Sequence, residues 1–226
     1  MNLEQFRSET EKKRLQLIPQ IASDGEDGLS LLMSFLQTEN QSPPSLAIGK
    51  AYQILDQART TQTIEFLQTY FPHGILPLKS ERDIDYTRLQ ERLIAQDFEQ
   101  ADIETRLKLC ELAGERAIRS KWLYFTEVER FPIRDLYTIN SLWWLYSEGK
   151  FGFSVQRKLW LSLGKDFVKL WPKIGWKAGN QWTKYPSEFT WSLSAPPGHL
   201  PLLNQLRGAQ VIKALFAHPV WSEFSW

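Results

Sequence analysis

All ten tryptophans of this 226-residue chain stand at or after Trp122. The first 121 residues hold none. Charge follows the same division: residues 150–213 carry ten basic side chains and two acids, Asp166 and Glu188. A chain so divided reads as two regions with different work, a plain first part and an aromatic, basic second part. The overall net charge is only +1, which argues against a protein that coats nucleic acid along its whole surface. A single cysteine, Cys110, excludes an intramolecular disulfide and any CxxC metal or redox site. No run approaches the ~20 apolar residues of a membrane-spanning helix. The first ten residues are polar and acidic, without a signal-peptide core or the acid-poor character of a transit peptide. The expected compartment is the cytoplasm.

Apolar spacing predicts an all-α fold. Leu29, Leu32, Met33 and Leu36 share one helical face, as do Ala47, Ala51, Ile54 and Ala58. Breaks at residues 24–28, 42–44 and 72–74 divide residues 1–78 into a helical bundle, and residues 75–82 read as a linker. A second domain spans residues 83–226. Within it, Asp97 with Gln100 resembles a capping box. It opens a helix whose apolar face is read as Ile103, Leu107, Cys110 and Ala113, ending near Gly114. Pro132 suits the start of the next helix, with Leu136, Ile139, Leu142, Trp143 and Tyr146 as its stripe. Ser154 is read as the cap of a helix through Gly164, and Asp166 as the start of a short one. From Lys173 to Pro201 periodicity is lost amid glycine, proline and aromatic residues. A last helix is expected from about Leu202 through Phe216.

Catalytic signals are weak. His73, His199 and His218 are far apart, and no HExxH, GxSxG or phosphate-binding loop is present. Cys110 reads as a small buried hydrophobe. The acids Asp83, Asp85, Asp97, Glu99, Asp102 and Glu104 read as a solvated face, with Asp102 and Arg106 paired at i,i+4. Ligand binding is better supported: a flat apolar ligand bearing carboxylates needs large aromatic side chains and cations at the rim. Trp143, Trp160 and Trp171 fall in helical patterns and read as core. Trp182, Tyr185 and Phe189 fall in a long loop, where so much apolar surface suggests contact with a ligand. Such rings can stack nucleic-acid bases, but no RNA-binding or zinc-knuckle motif accompanies them, so no nucleic-acid partner is expected.

Five separated strings then carry a resemblance: DFEQADIET (97–105), VERFPIRDLYTINSLW (128–143), SEGKFGFSVQRKLW (147–160), KIGW (173–176) and LSAPPGHLP (193–201). In this order they resemble the genomes-uncoupled-four tetrapyrrole-binding family over about residues 83–218. The first region resembles the extra domain of its cyanobacterial members. The resemblance implies a non-catalytic protein that binds protoporphyrin IX and Mg-protoporphyrin IX in a greasy helical cup with loops over it. It implies stimulation of magnesium chelatase in chlorophyll biosynthesis, through that enzyme's large porphyrin-binding subunit. It implies no intrinsic cofactor and a monomer, with peripheral membrane association allowed. Carried over residue by residue, Phe125 lines the cup, Tyr185 and Phe189 match the loop over it, and Arg207 is a cup arginine. Some members carry Trp where Tyr185 stands. Arg106 is a further partner for a propionate, and Trp182 and Leu203 complete the expected tetrapyrrole contacts. Asn204 is the expected axial oxygen ligand to porphyrin-bound Mg2+, with His199 as its rival in a segment that reads as a rigid turn. Plant members add a C-terminal tail with a phosphorylatable serine; this chain stops at Trp226, which points to a cyanobacterial, cytoplasmic protein. The alternative reading is a helical interaction adaptor whose aromatic cup grips a partner helix.

Overall fold

A computed structural model describes residues 2–39, 44–203 and 209–224. Its internal contacts divide the chain into two units, Met1–Pro77 and Leu78–Trp226. Unit 1 holds α1 (Leu3–Ser8), α2 (Glu11–Ala22), α3 (Glu26–Thr38), α4 (Leu46–Ala58) and α5 (Thr61–Tyr70). Side chains of Asn2, Thr10, Ser45 and Thr60 cap four of these helices, satisfying backbone donors that the first turn leaves open. The predicted stripe of α3 is buried, and Phe35 meets Phe6 edge-on at 4.9 Å between ring centroids. Glu11 Oε1 accepts the Ala47 N–H at 2.8 Å, tying α2 to the start of α4.

Unit 2 contains α6 (Thr87–Ile94), α7 (Phe98–Ala113), α8 (Glu115–Ser120), α9 (Phe125–Val128), α10 (Ile133–Tyr146), α11 (Phe153–Ser162) and α12 (Phe167–Lys173). A two-stranded antiparallel hairpin follows, β1 (Lys177–Ala178) with β2 (Gln181–Trp182), then α13 (Gln210–Ala217) and α14 (Val220–Glu223). Leu136, Ile139, Leu142, Trp143 and Tyr146 are all fully buried, as are Asp135, Thr138 and Asn140. A helix buried on nearly every side is a central one, and α6, α11 and α14 pack around α10. No described helix is long and apolar enough to cross a membrane.

Three local expectations need correction. Ser154 lies inside α11 and is not its cap; the Asn140 side chain of α10 accepts the Ser154 N–H at 2.8 Å and donates to its hydroxyl at 3.1 Å. A neighbouring helix thus supplies the capping group. The face of α7 is rotated from its predicted position: Leu107 is exposed and Ile103 half-buried, whereas Phe98, Ala101, Thr105, Leu109 and Leu112 are buried. Leu202 and Leu203 are buried without being helical, and the last long helix begins only at Gln210.

The segment 173–201 lacks periodicity because specific bonds, not a ladder, hold it. The Trp176 indole N–H donates to the His199 carbonyl at 2.7 Å. The Gln156 amide donates to the carbonyls of Gly198 at 3.0 Å and Pro201 at 2.8 Å. Gly175 has φ +73°, and a Cβ there would stand 3.1 Å from both His199 Nδ1 and Pro196 Cγ. Glycine is required by both conformation and space. Trp176→Phe leaves a buried carbonyl without its donor; the expected loss is about 2–4 kcal/mol in urea unfolding.

Candidate functional site

α7 presents Asp102, Arg106 and Cys110 at i, i+4 and i+8, one stripe on one side of the helix. That stripe is one wall of a pocket of about 290 Å3. Lys121, Trp122 and Leu123 form a second wall, and Tyr185, Leu202, Leu203 and Val211 complete the lining. The surface is mainly apolar with three convergent charged groups, the composition of an ordinary small-molecule site. A broader hollow lined by Ser80, Glu81 and Arg134 is polar, and its groups are bonded to the fold: Ser80 donates to the buried Asp135 at 2.5 Å, as does the Glu81 N–H at 2.8 Å.

The wall at 121–123 is positioned by a salt bridge. Arg116 Nη2 lies 2.5 Å from Glu127 Oε1, and the guanidinium carbon lies 4.3 Å over the Tyr124 ring. The same guanidinium donates to the Trp122 carbonyl at 3.3 Å, and Glu127 Oε2 accepts the Tyr124 N–H at 2.8 Å. Lys121 turns the chain in the left-handed conformation, with φ 52°. Beside this wall, Tyr124 and Phe125 stand exposed.

The 183–203 wall rests on aromatic stacking. Trp171 stacks on Trp176 at 5.5 Å, and Trp182 leans on Trp171 at 5.8 Å. Phe189 is buried against His199, 5.0 Å between rings. His199 has both ring nitrogens engaged: Nδ1 faces the Ile174 carbonyl at 2.7 Å, and Nε2 accepts the Thr190 N–H at 3.2 Å. That pattern fixes the neutral tautomer with hydrogen on Nδ1, and burial lowers its pKa further.

Of the residues predicted from sequence, the pocket brings together Arg106, Tyr185 and Leu203. Phe125 lies beyond its second wall, exposed at the start of α9. Trp182 and Phe189 are not among the residues lining the cavity; Trp182 leans on Trp171 and Phe189 on Trp191. Asn204 and Arg207 lie outside the described residues. Sequence reasoning missed Asp102 as a pocket residue, along with Lys121, Trp122, Leu123, Leu202 and Val211.

Asp102 and Glu104 correct the reading of a solvated acidic face, since both are buried. Glu104 is paired with Arg88 at 2.9 Å. Asp102 has no exposed surface, and its Oδ1 accepts the Leu202 N–H at 2.7 Å. Burial pushes the Asp102 carboxyl up to about 7, although the Leu202 N–H and Arg106 pull it down and Glu99 adds a small upward push. In the unfolded chain the same group ionises near ~3.9. Between these values the unfolded chain releases the proton and the native one holds it, so stability falls as pH rises from about 4 to 7. Asp102→Asn removes this loss. Urea unfolding is expected to show the variant more stable than the parent at pH 8, with the difference shrinking toward pH 4.

Residues 79–219 match the family described as GUN4-like, and residues 2–72 match an ARM-like repeat domain described as GUN4-N terminal. A Ycf53-like protein of Synechocystis is 55% identical over 99% of this chain and 96% of its own length. A chloroplastic protein of Arabidopsis thaliana named tetrapyrrole-binding protein is 40% identical, over 59% of this chain and 54% of its own. The solved structure of GUN4 from Chlamydomonas reinhardtii superimposes with a TM-score of 0.61 at 39% identity, covering 65% of this chain and 94% of that one. The ligand-free Arabidopsis GUN4 structure gives 0.57 at 41% identity, covering 61% and 98%. With its larger unit matched almost from end to end and a relative alike over nearly its whole length, this chain belongs to the GUN4-like family.

Proposed function

We propose that the pocket walled by α7 binds a dicarboxylic tetrapyrrole, protoporphyrin IX or its magnesium chelate, and that the protein acts as a non-catalytic carrier. The observation that carries the reading is the apolar cavity with Arg106 at its edge, found in the unit that matches the family. The name of the Arabidopsis relative supports the ligand class. Burying the faces of a macrocycle against Trp122, Leu123, Leu202 and Leu203 is favourable at about 25 cal/mol per Å2. At about 290 Å3 the cavity sits at the low end of ligand sites. A whole macrocycle therefore needs the side bearing Tyr185 to swing outward and then cover the ring.

In this reading Arg106 and Arg207 pair with the propionates, and Phe125 and Phe189 contact the ring once the loop has moved. Asn204 offers an amide oxygen to magnesium, which prefers oxygen donors. The His199 nitrogens already serve the backbone, which leaves Asn204 as the favoured ligand. The loaded protein stimulates magnesium chelatase through its large porphyrin-binding subunit, and the ARM-like unit contributes surface to that partner. The compartment in this reading is the cytoplasm of a cyanobacterium, with the protein a monomer that associates with membranes only peripherally.

Titration with deuteroporphyrin IX, a soluble dicarboxylic porphyrin, tests the reading through tryptophan fluorescence. The expected result is saturable quenching with Kd at or below about 1 µM. Arg106→Ala should weaken binding by up to about fivefold, since rim pairs contribute about 0–1 kcal/mol. Absence of saturable quenching contradicts the reading. Loaded protein should also raise the rate of magnesium insertion by the chelatase, and an unchanged rate contradicts the activator role.

A further inference from the structure

Asp102 is a fully buried carboxyl in the wall of the pocket, and only half of it is satisfied. Oδ1 accepts the Leu202 N–H, whereas Oδ2 has no hydrogen bond among the described residues. Among the described residues the cation paired with Oδ2 is Arg106, whose Nε lies 3.5 Å away, at the limit of a useful contact. Arg106 is held more firmly from the other side. Its Nη2 donates to the Tyr185 hydroxyl at 2.7 Å, and its guanidinium carbon lies 4.9 Å over the Tyr185 ring. A continuous chain of contacts therefore runs from the buried wall to the exposed loop at the mouth. Other groups facing this chain are Glu99 and Cys110 on α7, Lys121 across the pocket, and Tyr185 itself.

We propose that Asp102, Arg106 and Tyr185 form a latch across the pocket, and that a carboxylate-bearing tetrapyrrole opens it with uptake of one proton by Asp102. The proposal rests on the tetrapyrrole reading and adds to it a charge-coupled admission step. A ligand carboxylate offers Arg106 a two-pronged partner at the mouth, better than the single long contact to Asp102. Once Arg106 turns to the ligand, an ionised Asp102 becomes a buried charge stripped of its paired cation, which is costly. A proton from solvent on Oδ2 removes that charge, while Oδ1 keeps the Leu202 N–H. Tyr185 loses its hold on Arg106 in the same step and is released to cover the ring.

In the free protein Asp102 sits at about 7, held down in part by Arg106. Departure of Arg106 raises it further, so binding takes up a proton and is tighter at low pH. If the competent form is the protonated one, its population falls from about 0.9 at pH 6 to about 0.1 at pH 8. Affinity should therefore fall about tenfold across that interval, with uptake rising from about 0.1 to about 0.9 proton per ligand.

Calorimetric titration of the full chain with deuteroporphyrin IX, in buffers of different ionisation enthalpy at pH 6 and 8, reads the proton count directly. Asp102→Asn should bind with no uptake and no pH dependence of affinity. Tyr185→Phe should retain the uptake. Arg106→Gln, which removes the counter-charge beforehand, should lose most of it and serves if Asp102→Asn does not fold. Saturable binding without uptake, or uptake that survives in Asp102→Asn or Arg106→Gln, overturns the latch and leaves tetrapyrrole binding standing. No saturable binding by the parent protein defeats the tetrapyrrole reading, and the latch falls with it.

Discussion

The indole N–H of Trp143 donates to Thr105 Oγ1 at 2.8 Å, inside the core. Thr105 passes the interaction on by donating to the Ala101 carbonyl at 2.8 Å. This pair locks the rotation of α7 against the central helix α10. Phe98 reinforces it, stacked on Trp143 at 6.0 Å between centroids. With Thr105, Leu109 and Leu112 turned inward, geometry at 3.6 residues per turn leaves Asp102, Arg106 and Cys110 on the pocket side. The wall of the pocket is thus a consequence of how one indole is satisfied in the core. The second wall depends on a different device, the Arg116–Glu127 pair that gathers Trp122 and Tyr124 at the start of α9. The third depends on His199 and Trp176, which spend their polar atoms on the backbone of an aperiodic segment.

The three walls converge on the pocket that Leu202 lines. Its side chain lines the pocket, and its N–H is the donor that keeps Asp102 half-satisfied. A buried carboxyl with one good partner and one poor one is stable enough to fold around and costly enough to respond to a new charge. The Cys110 thiol, on the same stripe, is held in its protonated form by burial and adds only apolar surface.

The periodic parts were legible in the sequence. The stripe from Leu136 to Tyr146 is continuous at helical spacing and proves wholly buried. The cap at Asp97 was legible because a short carboxylate before an apolar run has one common use, and the short helix read as starting at Asp166 has that residue as its cap. What was not legible depended on distant partners. Asp102 with Arg106 at i,i+4 reads identically on a solvated face and a buried one; the difference is Leu202, 100 residues away. The face of α7 was misread because Leu107 and Ile103 look like core, while the core position is taken by Thr105, whose hydroxyl Trp143 uses. Ser154 resembled a cap because its true capping group, Asn140, sits on another helix. Leu202 and Leu203 mimic a helical start, and the long-range bonds of Asp102 to the Leu202 N–H and of Gln156 to the adjoining Pro201 carbonyl hold them as wall. Of the residues that line the pocket, Arg106, Tyr185 and Leu203 were among those named from sequence, and those at 121–123 were not, because a turn with one lysine and two apolar residues carries no motif.

The central claim is that ligand is held between α7, residues 121–125 and the 183–203 segment. Hydrogen–deuterium exchange read by mass spectrometry, with and without deuteroporphyrin IX, tests it most directly. The account predicts slowed exchange in peptides covering 121–125, 183–191 and 200–203, with the amides of α10 unchanged because they are already protected. Slowing confined to residues 2–70, with those three segments unaffected by saturating porphyrin, would contradict it.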